Sequence, residues 1–148
     1  ILDLNLLRSP SNPDPDADEG LHEFTYSLFP HIKDFIHSDV IAESSCLNQP
    51  PILFKDSATK AEMPVRLEGI GLELSVMKKA ENEDELILRI IETHGRKSNG
   101  LLYIQGTLAE CDLMEWKQIG EKIKVDESIQ LDLEPFEIRT FRYNNIAG

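Results

Sequence analysis

The run Leu86-Ile87-Leu88-Arg89-Ile90-Ile91 puts Leu86, Leu88 and Ile90 on one face of an extended chain and Ile87 and Ile91 on the other. A strand with bulky apolar residues on both faces belongs inside a sheet that is covered on each side. Before it, Lys79-Ala80-Glu81-Asn82-Glu83-Asp84 is polar and as short as a hairpin connection, and Leu72, Leu74 and Val76 share one face of a preceding strand. Val65 and Leu67 mark a shorter strand ahead of that. After it, His94-Gly95-Arg96-Lys97-Ser98-Asn99-Gly100 reads as a second connection, closing in an Asn-Gly pair that favours a tight turn. Leu101, Tyr103 and Thr107 begin a further strand, Ala109 to Met114 form another, and Ile119 to Val125 a polar one. Ile129-Gln130-Leu131-Asp132-Leu133 alternates cleanly; Glu134-Pro135 interrupts it, and Phe136, Ile138 and Thr140 resume on the opposite parity. Many short strands separated by turn signals predict an all-β fold, an antiparallel β-sandwich.

The first third reads differently. Ile1 to Leu7 alternates and predicts a first strand. Ser11 to Gly20 carries prolines, aspartates and a glycine and predicts a stiff loop. His22-Glu23-Phe24-Thr25-Tyr26-Ser27-Leu28-Phe29-Pro30 predicts a second strand, with Phe24, Tyr26 and Leu28 on one face. From Asp34 to Cys46, Phe35, Ile36, Val40 and Ile41 recur at helical intervals behind a potential Asp34 N-cap, predicting one short helix or turn before Pro50-Pro51. The expected organisation is a single sandwich domain over 1–148. The opening residues lack a Met and start inside an alternating pattern, so the chain is expected to be a piece of a longer polypeptide.

The 148 residues carry 41% hydrophobic and 28% charged side chains, which suits a folded globular chain rather than a disordered one. Acidic residues outnumber basic ones 27 to 15, a formal net charge of -12 that repels phosphate backbones and anionic lipid surfaces. Neither nucleic acid nor membrane is therefore expected as a partner, whereas neutral sugars are not disfavoured. Cys46 and Cys111 both lie in apolar surroundings, and the expectation is two buried free thiols of a cytoplasmic protein, with a single long-range disulfide as the alternative.

Few residues form a chemical constellation. Asp14, Asp16 and Asp18 alternate ahead of Gly20, but the glycine falls one place late for a calcium loop and Thr25 occupies the position of the closing glutamate. The segment is a solvated acidic loop or one that lines a neighbouring cleft. His22, His31, His37 and His94 never adopt a spacing that sets two rings on one helical face, so no metal site is expected within this chain. Trp116, the one tryptophan, suits either a sugar ring or ordinary packing. Glycoside hydrolysis needs two spaced carboxyl groups, and 27 acids do not single out a pair.

The ordered series Leu6-Leu7-Arg8-Ser9-Pro10, Pro13-Asp14, Ala17-Asp18, Gly20, His22-Glu23-Phe24-Thr25-Tyr26 and Pro30-His31 resembles the segment that opens the last β domain of family 38 α-mannosidases. The similarity continues through Lys78-Lys79-Ala80-Glu81, Leu88-Arg89, Glu92-Thr93-His94-Gly95, Ala109 to Glu115, and Leu133 to Thr140. It is strongest to the cytosolic, vacuolar and bacterial branch. Ile91 departs from it, standing where the family pattern often has a tyrosine. The resemblance implies a retaining α-mannosidase acting on terminal α-D-mannose of glycans, whose N-terminal catalytic domain holds zinc and an aspartate nucleophile outside this chain. No catalytic residue and no metal ligand is carried over onto this sequence.

The resemblance also brings the loop before the His22 strand toward the substrate cleft, making Asp16, Asp18, Glu19 and His22 candidates for contact with mannose hydroxyls; domain docking is the competing role. Its expected partners are the catalytic domain of the same polypeptide, mannose-containing glycans and another copy in a homo-oligomer. The isolated chain is expected to be inactive. The rival is a free-standing carbohydrate-binding or protein-docking module of the same sandwich form.

Overall fold

A computed structural model describes residues 3–53, 55, 63–81 and 83–145. These fall into two compact units, one within residues 1–32 and one within 33–148.

The second unit opens with a 3-10 turn, Phe35–His37, followed by helix α1, Val40–Asn48. Asp34 caps the turn, its Oδ1 accepting the His37 backbone N–H at 2.9 Å, while α1 starts at Asp39 without a side-chain cap. The single expected helical segment is thus two pieces, and the capping residue serves the first.

Eight strands follow: β1 Arg66–Glu68, β2 Leu72–Lys79, β3 Leu86–Glu92, β4 Ser98–Tyr103, β5 Gly106–Cys111, β6 Ile123–Val125, β7 Ser128–Leu133 and β8 Ile138–Asn144. They pair antiparallel throughout, in a three-stranded sheet of order β1-β4-β7 and a five-stranded sheet of order β2-β3-β8-β5-β6. The all-β antiparallel sandwich expected from the alternation is the observed fold.

Leu88 and Ile90 of β3, Leu102 of β4, Leu108 of β5, Leu131 and Leu133 of β7, and Phe141 and Tyr143 of β8 fill the core between the sheets. Ile87, on the opposite face of β3, is also fully buried. Directly paired residues share a face, so Arg142 opposite Ile87, Thr140 opposite Arg89 and Cys111 opposite Thr140 belong to this second, outer side.

The chain crosses between the sheets repeatedly, and polar groups tie the crossings. Glu92, at the end of β3, accepts the backbone N–H groups of His94 at 2.8 Å, Gly95 at 2.8 Å and Phe136 at 2.9 Å, and the Ser98 hydroxyl at 3.3 Å. One carboxylate thereby joins the β3–β4 and β7–β8 crossings. Burial pushes the Glu92 carboxyl upward, but the bonds from Phe136, His94, Gly95 and Ser98 outweigh it and hold it below the usual carboxylate range. At the β4–β5 crossing the buried Tyr143 hydroxyl donates to Gln105 O at 2.9 Å.

Several expectations are corrected. Asn99-Gly100 is not a turn but lies within β4, because a Cβ at Gly100 would stand 2.2 Å from the Glu68 carbonyl oxygen of β1. The turn falls earlier, at Gly95, which takes φ +69° beneath the Phe136 ring. Residues 3–7 and 22–30 form no strand: they alternate as strands do, but nothing among the described residues completes a ladder with them. Ile1 and Leu2 lie outside the described residues. Cys46 is exposed on α1 while Cys111 is buried, and both are free thiols; burial raises the Cys111 thiol above its ordinary range.

Candidate functional site

The loop singled out from sequence lies in the first unit. Asp14 organises it: its carbonyl accepts the Ala17 N–H at 3.4 Å and its Oδ1 the Asp16 N–H at 3.1 Å, a local Asx arrangement. Glu19 N–H then reaches Asp16 O at 3.2 Å. Asp18 takes φ +62°, and its Oδ2 accepts the Ser9 N–H at 3.0 Å, clasping the two ends of the loop. His22 Nε2 lies 2.9 Å from Asp18 O, and its ring stacks at 6.1 Å on Phe24.

The structure therefore brings Asp18 and His22 together and sets Asp16 beside Asp14, all exposed. The Asp16 and Glu19 side chains are exposed and carry their charge into solvent. Among the described residues, no group of three or more His, Cys, Asp and Glu side chains could hold a metal ion. The loop's chemistry is that of acceptors for hydroxyl groups.

A second site surrounds Trp116, the residue suited by sequence to a sugar ring or to packing. Between β5 and β6, Asp112 folds the chain into a tight turn: its Oδ1 accepts the Trp116 N–H at 2.8 Å and the Lys117 N–H at 3.2 Å, and its backbone pairs with Lys117 O at 2.9 Å. Glu115, at φ +65°, sends its carboxylate back over the outer side of the five-stranded sheet, where it pairs with Arg89 at 2.8 Å and Lys78 at 2.9 Å. Arg142 donates to Glu115 O and pairs with Glu83 at 3.1 Å. Trp116 is left 75% exposed at the rim of a cavity of about 310 Å³. The sequence signal for this site was Asp112 ahead of a Leu-Met-Glu-Trp run, an acceptor placed where a turn needs one.

Against known sequences, residues 71–141 match the model described as the glycosyl hydrolases family 38 C-terminal beta sandwich domain. That stretch, just under half of the chain, is similar to the family's sandwich domain. Human Alpha-mannosidase 2C1 is 32% identical over 148 residues, covering 93% of this chain and 14% of the relative. Alpha-mannosidase G of Dictyostelium discoideum is 30% identical, covering 95% of this chain and 14% of the relative. Alpha-mannosidase of Saccharomyces cerevisiae is 28% identical, over 96% of this chain and 16% of the relative. The chain thus spans about one seventh of the length of the curated relatives it matches. The family 38 match covers β2 to β7 entire and the first part of β8, so it includes both the Glu92 corner and the Asp112 turn.

Proposed function

We propose that this chain is the C-terminal β-sandwich portion of a retaining, metal-dependent α-mannosidase that removes terminal α-D-mannose from glycans or oligosaccharides. The observation that carries the reading is collinear similarity to proteins named α-mannosidases over more than nine-tenths of this chain. The catalytic centre, with its zinc and its nucleophile, belongs to another part of the polypeptide, and no catalytic step is assigned to residues here. The sandwich supports that part, which is its principal partner. The two free thiols fit a cytoplasmic enzyme.

Asp16, Asp18, Glu19 and His22 present a row of exposed acceptors on a loop held by its own hydrogen bonds. Such a loop suits contact with mannose hydroxyls, which donate and accept hydrogen bonds but carry no charge to oppose the acidic surface. The test is hydrolysis of an aryl α-mannoside. The full-length polypeptide turns it over and the 148-residue chain does not; turnover by the 148-residue chain, or none by the full-length polypeptide, overturns the reading. Within the full-length polypeptide, Asp16→Ala with Glu19→Ala raises KM for the mannoside about tenfold, roughly 1.4 kcal/mol of binding; an unchanged KM removes the loop from the substrate cleft.

A further inference from the structure

The cavity beside Trp116 has the composition of a binding site for a neutral sugar. Its polar walls are Lys78, Glu81, Glu83, Glu115 and Arg142, and its apolar wall includes the Trp116 ring. Two positive and three negative groups nearly cancel, which disfavours a phosphate or sulfate on a chain already at -12. About 310 Å³ accommodates one hexose ring. A hexose has an apolar C–H face and a rim of hydroxyls that each donate and accept, and this cavity offers an aromatic face, carboxylate acceptors and a cationic donor.

Two further observations show that its walls are held in place. Arg142 Nε is buried without a hydrogen-bond partner among the described residues, and the guanidinium's other nitrogens are engaged by Glu83 and Glu115 O. With those two nitrogens held, the guanidinium is fixed in orientation at the cavity wall. Glu115 holds a left-handed backbone that side chains other than glycine rarely adopt, and it is locked there by Arg89 and Lys78. The lock fixes a turn whose exposed member is Trp116, the largest apolar side chain of the sequence.

We propose that this cavity is a hexose-binding site, taking one mannose-type residue of a glycan with its C–H face on Trp116 and its hydroxyls on Glu83, Glu115 and Arg142. The ligand class rests on the glycan-hydrolase reading above. The test labels the full-length polypeptide with 5-fluorotryptophan, assigns the Trp116 fluorine resonance from its loss in Trp116→Phe, and titrates with thio-linked mannotriose and separately with inorganic phosphate. The expected result is a saturable shift of the Trp116 resonance with mannotriose, with an apparent Kd of about 1–10 mM, no shift with phosphate, and at least a tenfold weakening in Glu83→Gln. A resonance unmoved by mannotriose to about 50 mM, or moved by phosphate alone, overturns the site. Because aryl-mannoside turnover is read separately, failure of the site and failure of the mannosidase reading remain distinguishable.

Discussion

Two stretches of this chain each set three apolar residues at alternate positions and end in opposite states. In β3, Leu88 and Ile90 are completely buried, whereas Tyr26 and Leu28 in the first unit are 68% and 75% exposed. Their residue types are equally suited to strands. What differs is the ladder: β3 has β2 on one side and β8 on the other, while residues 22–30 bond to no strand among the described residues. Periodicity states which side chains would share a face; only a paired neighbour gives that face something to cover.

Truncating one leucine in each stretch tests this most strongly. Leu88→Ala opens a cavity in a close-packed core and is expected to cost about 3 kcal/mol of unfolding free energy. Leu28→Ala is expected to stay within about 0.5 kcal/mol, because an exposed side chain leaves no cavity. Denaturant unfolding of both variants decides it, and equal losses would mean that the first unit packs as the second does.

The Glu92 corner is the next largest effect. Glu92→Gln removes the charge and places an NH2 group against four donors, at an expected cost of about 2 kcal/mol. The pH dependence follows from the depressed carboxyl. Its contribution is fully present above the unfolded value of roughly 4.3 and is lost as pH falls through the lower folded value. The wild-type chain should therefore lose stability on acidification below the ordinary carboxylate range, and Glu92→Gln should show a shallower loss there. Parallel acid-unfolding curves would remove Glu92 from the crossings.

Much of the sandwich was legible because its strands obey one rule at a time. Leu86 to Ile91 is apolar on both faces, Ile129 to Leu133 alternates, and turn residues bound them. The Asn99-Gly100 reading failed because that glycine answers a neighbouring strand, a long-range demand that local turn statistics do not contain. His22 to Pro30 failed for a related reason, since pairing is a property of two segments and the sequence displays one. At the candidate sites, the Asp14 to Gly20 loop was visible from its composition. The Arg142, Glu83 and Glu115 cluster was not, since it joins three segments of the chain.

The outer-side turn offers an intermediate effect. Asp112→Ala removes the acceptor of two backbone N–H groups at an exposed position and should cost about 1 kcal/mol. Trp116→Ala should cost less than about 0.5 kcal/mol, because most of that ring already faces water. If the tryptophan substitution proves the more damaging, Trp116 belongs to the packing of the fold.

The smallest expected change lies in the first unit, at Asp18. Asp18→Gly relieves a left-handed backbone, worth about 1 kcal/mol, and deletes one exposed bond to the Ser9 N–H, worth a similar amount in the other direction. The two cancel, so thermal unfolding should be unchanged. A loop built only for folding would gain nothing from an aspartate there, because glycine serves the backbone as well and leaves the His22 ring its carbonyl acceptor. Unchanged unfolding together with weakened mannoside binding in the full-length polypeptide would therefore assign the carboxylate to recognition, while a loss of stability would return it to holding the loop together.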